Sequence, residues 1–109
     1  MATELIPAEW KEAVCAILKT HNQALIPMTN TARFDWEATF PNAWFGDLYE
    51  MVFLHLSQPS VEGRLAPNMI PPGVAYEFIC KFERRDVLVK INLTKDDKVH
   101  IVSAHIPRK

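Results

Sequence analysis

AYEFICKFERRDVLVKINLTKDDKVHIVSAH, residues 75–105, decides the fold. Tyr76, Phe78, Cys80 and Phe82 alternate with Glu77, Ile79, Lys81 and Glu83; further on, Val87, Val89, Ile91 and Leu93 alternate with Leu88, Lys90 and Asn92. A period of two is the spacing of side chains along a strand, where neighbours point to opposite faces. The polar breaks Arg84-Arg85-Asp86 and Thr94-Lys95-Asp96-Asp97-Lys98 have the length of hairpin turns. The stretch therefore predicts an antiparallel meander of three strands over 75–105.

Working outward, residues 57–74 hold four of the eight prolines and two of the three glycines. That composition opposes both a helix and a central strand, and predicts a long Pro-rich surface loop. Before it, Leu48, Val52 and Leu56 form a helical stripe, Asp47 with Glu50 three residues on resembles a capping box, and Pro59 supplies a stop. A helix over about 46–58 follows. Residues 27–45 mix the cap formers Thr29, Asn30 and Thr31 with two prolines and five aromatics, and read either as a short helix over Ala32–Thr39 or as an irregular segment anchored by its rings. Residues 7–21 place Trp10, Val14, Ile17 and Leu18 on one helical face, with Pro7 and Glu9 suited to the first turn. The expected architecture is α+β: N-terminal helices packed on one face of a C-terminal antiparallel sheet of three or more strands, in a single domain spanning 1–109.

Composition bounds the class. Of 109 residues, 49% are hydrophobic and 23% charged, ordinary values for a globular domain and unlike those of a disordered chain. The net charge of −1 is unevenly spread: residues 1–74 carry four Lys/Arg against eight Asp/Glu, whereas residues 75–109 carry eight against five. The basic end suits phosphates. Cys15 and Cys80 lie in the apolar runs AVCAIL and FICKF, where thiols pack as small hydrophobes, and no CxxC pair or Cys/His ligand spacing exists. There is no Walker loop, GxGxxG, GxSxG or HExxH, so neither a metal nor a cofactor is expected. MATELIPAEW lacks a basic region followed by an apolar run, and WFGDLYEMVFLHL is broken by Asp47, Glu50 and His55. Neither a signal peptide nor a membrane span is expected, and a reduced cytoplasmic setting is.

The alternation also sorts the chemistry. With Phe78, Phe82, Val89, Ile91 and Ile101 toward the helices, Lys81 and Lys90 fall on the opposite face with Glu77, Glu83, Asn92 and His100. That face reads as a solvated surface or as a phosphate-binding one. His105 is placed just after the last strand, and free imidazole, with an unperturbed pKa near ~6.5, is a group that can take or give a proton near neutrality. Beside Lys90 or Arg84 it can assist attack of a ribose 2′-hydroxyl on the adjacent phosphate, with a cation stabilising the developing charge. Arg84 and Arg85 at a hairpin tip are either turn residues or a phosphate clamp, and Arg64 is a candidate contact to a substrate or partner. His21 and His55 have no ligand-spaced companion and read as structural. Trp36, Phe40, Trp44 and Phe45 form either core or a base-stacking surface.

The order of two helices, a meander and a last strand reading VHIVSAH resembles the small ribonuclease toxins of the RelE and MqsR type, the mRNA interferases of bacterial toxin–antitoxin pairs. In KINLTKDDKVHIVSAH the likeness is to a strand, a turn and a strand closing in Ile-Val-Ser; Leu88 stands where that family carries a strand tyrosine. The resemblance puts His105 at the place of a catalytic basic residue and Lys90 on the lysine of the preceding strand. It also implies a proteinaceous antitoxin that blocks the sheet surface.

Two functional readings result. The first is a bacterial or phage toxin-like endoribonuclease working without metal, in which Lys81 and Lys90 bind phosphate, His105 is general acid or base, Arg84 stabilises the transition state, and Arg85 and Arg64 bind substrate. The second is a non-catalytic immunity protein, antitoxin or phage-encoded inhibitor that binds and blocks another protein; a structural domain of a larger assembly is a third. The first carries a geometric condition. A regular strand puts Val99, Ile101, Ser103 and His105 on one face, turned to the core, so catalysis requires a bulge near Ser103–Ala104 that re-aims His105 toward Lys90.

Overall fold

A computed structural model describes residues 3–107; Arg108 and Lys109, which extend the basic ending of the sequence, lie outside the described residues. The elements run β1 (Glu4–Leu5), α1 (Ala8–Leu18), α2 (Asn30–Thr39), α3 (Phe45–Leu56), β2 (Glu62–Ala66), β3 (Gly73–Phe82), β4 (Arg85–Thr94) and β5 (Val99–His105). The strands form one antiparallel sheet in the order β1-β2-β3-β4-β5, with the helices on one face. The fold is α+β.

The helices form where apolar spacing gives them a face to bury. Trp10, Val14 and Leu18 of α1, Trp36 of α2, and Leu48, Val52 and Leu56 of α3 join Tyr76, Phe78, Cys80, Val87, Val89, Ile91 and Ile101 of the sheet in one core. Residues 30–39 are helical because Thr29 caps them, its Oγ1 accepting from Ala32 N at 3.0 Å. Trp36 and Phe40 are buried against Phe82, with ring centroids 5.2 and 4.9 Å from it, while Trp44 is exposed and Phe45 lies under the Arg33 guanidinium. In α3 the acidic member of the N-terminal cap is Asp47, which accepts from Trp44 N at 2.8 Å; the helix starts one residue earlier than its sequence signature indicates and ends at Leu56.

The expected loop over 57–74 needs correction, since β2 lies inside it and pairs with both β1 and β3. Pro59, Pro67, Pro71 and Pro72 all fall outside Glu62–Ala66, so no ladder donor is lost to proline. The glycine inside the strand serves close packing. A Cβ on Gly63 would lie 2.8 Å from Ile6 Cδ1 and 2.9 Å from Glu77 O.

β3 and β4 pair over their full lengths, from Gly73↔Thr94 to Phe82↔Arg85, so the turn is Glu83-Arg84 alone and Arg85 and Asp86 belong to β4. Both turn residues are left-handed (φ 50° and 67°), the arrangement of a type I′ hairpin turn. Between β4 and β5 the register breaks: Ile91 faces Ile101, but Lys90 faces Ser103, leaving Val102 as an extra residue. This is a β-bulge, and Thr29 holds it from the sheet edge. Thr29 N donates to Ile101 O at 3.1 Å and Thr29 Oγ1 donates to Val102 O at 2.9 Å, while Val99 N and Ile101 N bond to Leu25 O and Pro27 O. Residues 25–29 thus fence the outer edge of β5 up to its bulge.

Candidate functional site

The bulge reverses the facing of the end of the chain. Before it, Val99 and Ile101 are fully buried; after it, Ala104 is the buried residue, and Ser103 and His105 stand on the face away from the helices. His105 has become the last residue of β5 rather than its follower, and it pairs with Leu88. Lys90, on the same face and one pair along, is its diagonal neighbour, a relation that spans about 7–8 Å between Cα atoms. The geometric condition set by the sequence is met one residue earlier than expected, at Val102.

His105 Nδ1 lies 2.9 Å from Ile106 O. A carbonyl oxygen only accepts, so Nδ1 carries the proton and the neutral ring keeps the lone pair of Nε2 for another partner. Next to it runs a row of polar residues across four strands, Arg64 of β2, Glu77 of β3, Lys90 of β4 and Ser103 of β5, each paired with the next. Glu77 is the hinge of the row. Its Oε1 receives Arg64 Nη2 and its Oε2 lies 4.0 Å from Lys90 Nζ, with only 13% of its side chain exposed. A carboxylate this sheltered needs a cation, which Arg64 supplies at close range, and Lys90 adds a second, more distant one.

The other expected site residues lie elsewhere. Lys81 shares the outer face but is 75% exposed and ion-paired to Asp86 at 2.6 Å; Asp86 is four residues from Lys90 on β4, about 13 Å along the strand. Arg84 is at the hairpin tip, and Arg85 places its guanidinium 5.6 Å from the Phe40 ring centroid. The structure therefore puts His105, Lys90 and Arg64 on one face, with Lys90 the diagonal neighbour of His105 and Arg64 three strands from it at the far end of the row, and it does not bring Arg84, Arg85 or Lys81 to them. Glu77 and Ser103 are additional members. Alternation alone puts Glu77 on the outer face, but its role as a counter-ion is visible only once β2 is recognised as a strand carrying Arg64.

Beyond Gly63 the strand β2 leaves β3 and turns to β1, opening a cleft of about 520 Å³ in the fork. Arg64 and Glu77 line its mouth together with Ile79, Leu88 and Pro107, and His55 and Phe78 line its helix side. His55 stacks on Phe78 with centroids 5.5 Å apart and planes 9° apart, and burial lowers its pKa below the usual imidazole value. Burial likewise pushes the Cys80 thiol up to about 12, as befits a cysteine that only fills space.

Among the described residues no helix is long and apolar enough to cross a membrane, and no group of three His, Cys, Asp or Glu is arranged to hold a metal ion. Comparison with protein-family models, with curated proteins and with solved structures finds no match to this chain.

Proposed function

We propose that the chain is a toxin-like endoribonuclease of the bacterial or phage cytoplasm whose site is the outer face of the sheet at His105, Lys90, Arg64 and Glu77. The observation that carries this reading is the bulge at Val102, which turns His105 onto the face of Lys90 while its Nδ1 proton is held by Ile106 O. In the reaction, His105 Nε2 takes the proton of a ribose 2′-hydroxyl, and the 2′-oxygen forms a bond to the adjacent phosphorus. The bond from phosphorus to the 5′-oxygen breaks, and Lys90 protonates that oxygen as it leaves. Arg64 and Lys90 stabilise the charge on the phosphoryl oxygens, in the place first expected for Arg84, and Glu77 positions both cations. The products are a 2′,3′-cyclic phosphate and a 5′-hydroxyl. Side chains supply every proton and every cation of this scheme, so it calls for no metal.

A second reading, a protein that binds and blocks another, is favoured by the pairing of outer-face cations with carboxylates. Arg64 and Lys90 flank Glu77, and Lys81 lies on Asp86, which weakens the attraction of the face for a polyanion.

Incubation of the purified chain with end-labelled single-stranded RNA in a chelator separates the two. The endoribonuclease reading expects cleavage with cyclic phosphate ends, growth arrest on induced expression, and a loss of about 10²–10⁴-fold in His105→Ala with stability changed by no more than ~0.5 kcal/mol. Intact RNA and harmless expression would abandon it for the second reading.

A further inference from the structure

The sheet has an unprotected stretch of edge in its middle. β2 pairs with β3 only from Ala75 to Glu77, and among the described residues no strand lies beside β3 from Phe78 to Phe82. The direction of the backbone groups there follows from the far side of the sheet. Ile101 bonds outward to Pro27 O and Thr29 N, so Ile91 opposite it bonds to Tyr76, and Phe78, Cys80 and Phe82 point their N–H and C=O toward β4 in turn. Ile79 and Lys81 must therefore aim theirs off the open edge, which amounts to two donors and two acceptors in strand geometry. Open edges are templates for another strand; here there is no proline, residue 79 is an isoleucine 48% exposed, and Lys81, the residue type that commonly guards such an edge, has its charge paired with Asp86.

The edge is also walled. Along it runs the α3 face that carries Asp47, Glu50, Met51, Leu54 and His55, with Gln58 just beyond the helix end. Two cavities lie between this wall and β3: the cleft of about 520 Å³ at Phe78, and a second of about 350 Å³ at Phe82; they meet at His55 and Gln58. Leu54 is 58% exposed at the second cavity. We propose that the β3 edge from Phe78 to Phe82 takes up an extended segment of a partner protein as an added strand, with an apolar side chain in the cleft at Phe78 and a basic one, four residues away, against Asp47 and Glu50.

The occupant's chemistry is dictated by the site. Only an extended backbone matches the donors and acceptors of Ile79 and Lys81. Residues placed opposite Phe78 and Phe82 share the inner face and project into the two cavities, and four residues in a strand span about 13 Å. At the Phe82 end Asp47 and Glu50 stand at the α3 wall, and the lysine of the lining, Lys81, is ion-paired with Asp86, so the charge left at the wall is negative and a lysine or arginine complements it. This surface adjoins the row at His105, since Arg64 and Glu77 line the mouth of the same cleft, but the backbone groups it uses are those of Ile79 and Lys81, and its occupation does not require that the chain cleave RNA.

The test selects binders to the whole chain from a displayed library of random twelve-residue peptides and maps them on the ¹⁵N-labelled protein. Selected peptides are expected to carry an apolar residue and a Lys or Arg four apart, and to slow hydrogen exchange at the Ile79 and Lys81 amides at least tenfold. Ile79→Pro, which removes a donor that β4 does not use, is expected to abolish binding, and Glu50→Lys, a surface change, to weaken it at least fivefold. Failure to select any peptide, or selected peptides that leave those two amides unprotected, overturns the proposal. So does concentration-dependent self-association that protects the same amides in the free chain, because a second copy then occupies the edge.

Discussion

On the helix side of the sheet Val87, Val89 and Ile91 are fully buried among Trp36, Leu56 and their neighbours; on the other side Arg64, Glu77, Lys90 and Ser103 cross the same strands only partly covered. Alternate residues of β4 thus serve two different kinds of surface. The inner one is held by removal of apolar area from water and by close packing, where any loss of volume is felt. The outer one is held by pairing of charges across strands, where each contact contributes little to stability and the positions are free for chemistry. The contrast means that the outer layer can vary without weakening the sheet that positions it.

The comparison is broken most forcefully at adjacent residues. Ile91→Ala is expected to cost about 3 kcal/mol and Lys90→Ala less than about 1 kcal/mol in denaturant unfolding, while RNA cleavage follows the opposite order. Equal costs at the two positions would mean that Lys90 is part of the core. A smaller effect concerns the bulge. Deleting Val102 leaves Ile101 opposite Ile91 and Ser103 opposite Lys90, so Ala104 and His105 keep their faces; the expected cost is about 1 kcal/mol, that of the bond from Thr29 Oγ1, and His105 is expected to stay on the face of Lys90. Exposure of Ala104, read from hydrogen exchange after such a deletion, would contradict this account of the register.

The smallest effect is one of pH. Burial lowers the His55 pKa, so the folded state favours the neutral ring. Its share of stability is complete above the ordinary value near ~6.5 and is lost as pH falls from there through the lowered folded value. The thermal midpoint is expected to fall between about pH 7 and pH 5, and by less in His55→Gln.

Much of this contrast was legible in the chain itself. The alternation in 75–93 assigns Phe78, Val89 and Ile91 to the core and Lys90 and Glu77 to the outer face, because strand facing depends only on parity. The short strand β2 was hidden by averaging: prolines on both sides colour the composition of a five-residue run that contains none. Glu77 gains its meaning from Arg64 and Lys90, which are thirteen residues away on either side and meet it only through strand pairing. The aim of His105 turns on a single extra residue, and neither Val102 nor its neighbours are unusual in a strand. What marks the place is Thr29, more than seventy residues away in sequence.

The tight turn between β3 and β4 has a consequence for the tolerance of this protein to change. Glu83 and Arg84 both adopt a left-handed backbone that side-chain-bearing residues resist by roughly 1–2 kcal/mol each, whereas Asn-Gly adopts it readily. The hairpin forms through the ten-residue strands on either side, in spite of its turn. A reserve of stability is therefore kept at two positions outside both the core and the row at Glu77. Should a new substrate contact or interface elsewhere weaken the fold, replacement at Glu83 and Arg84 can restore it without moving any residue of the site.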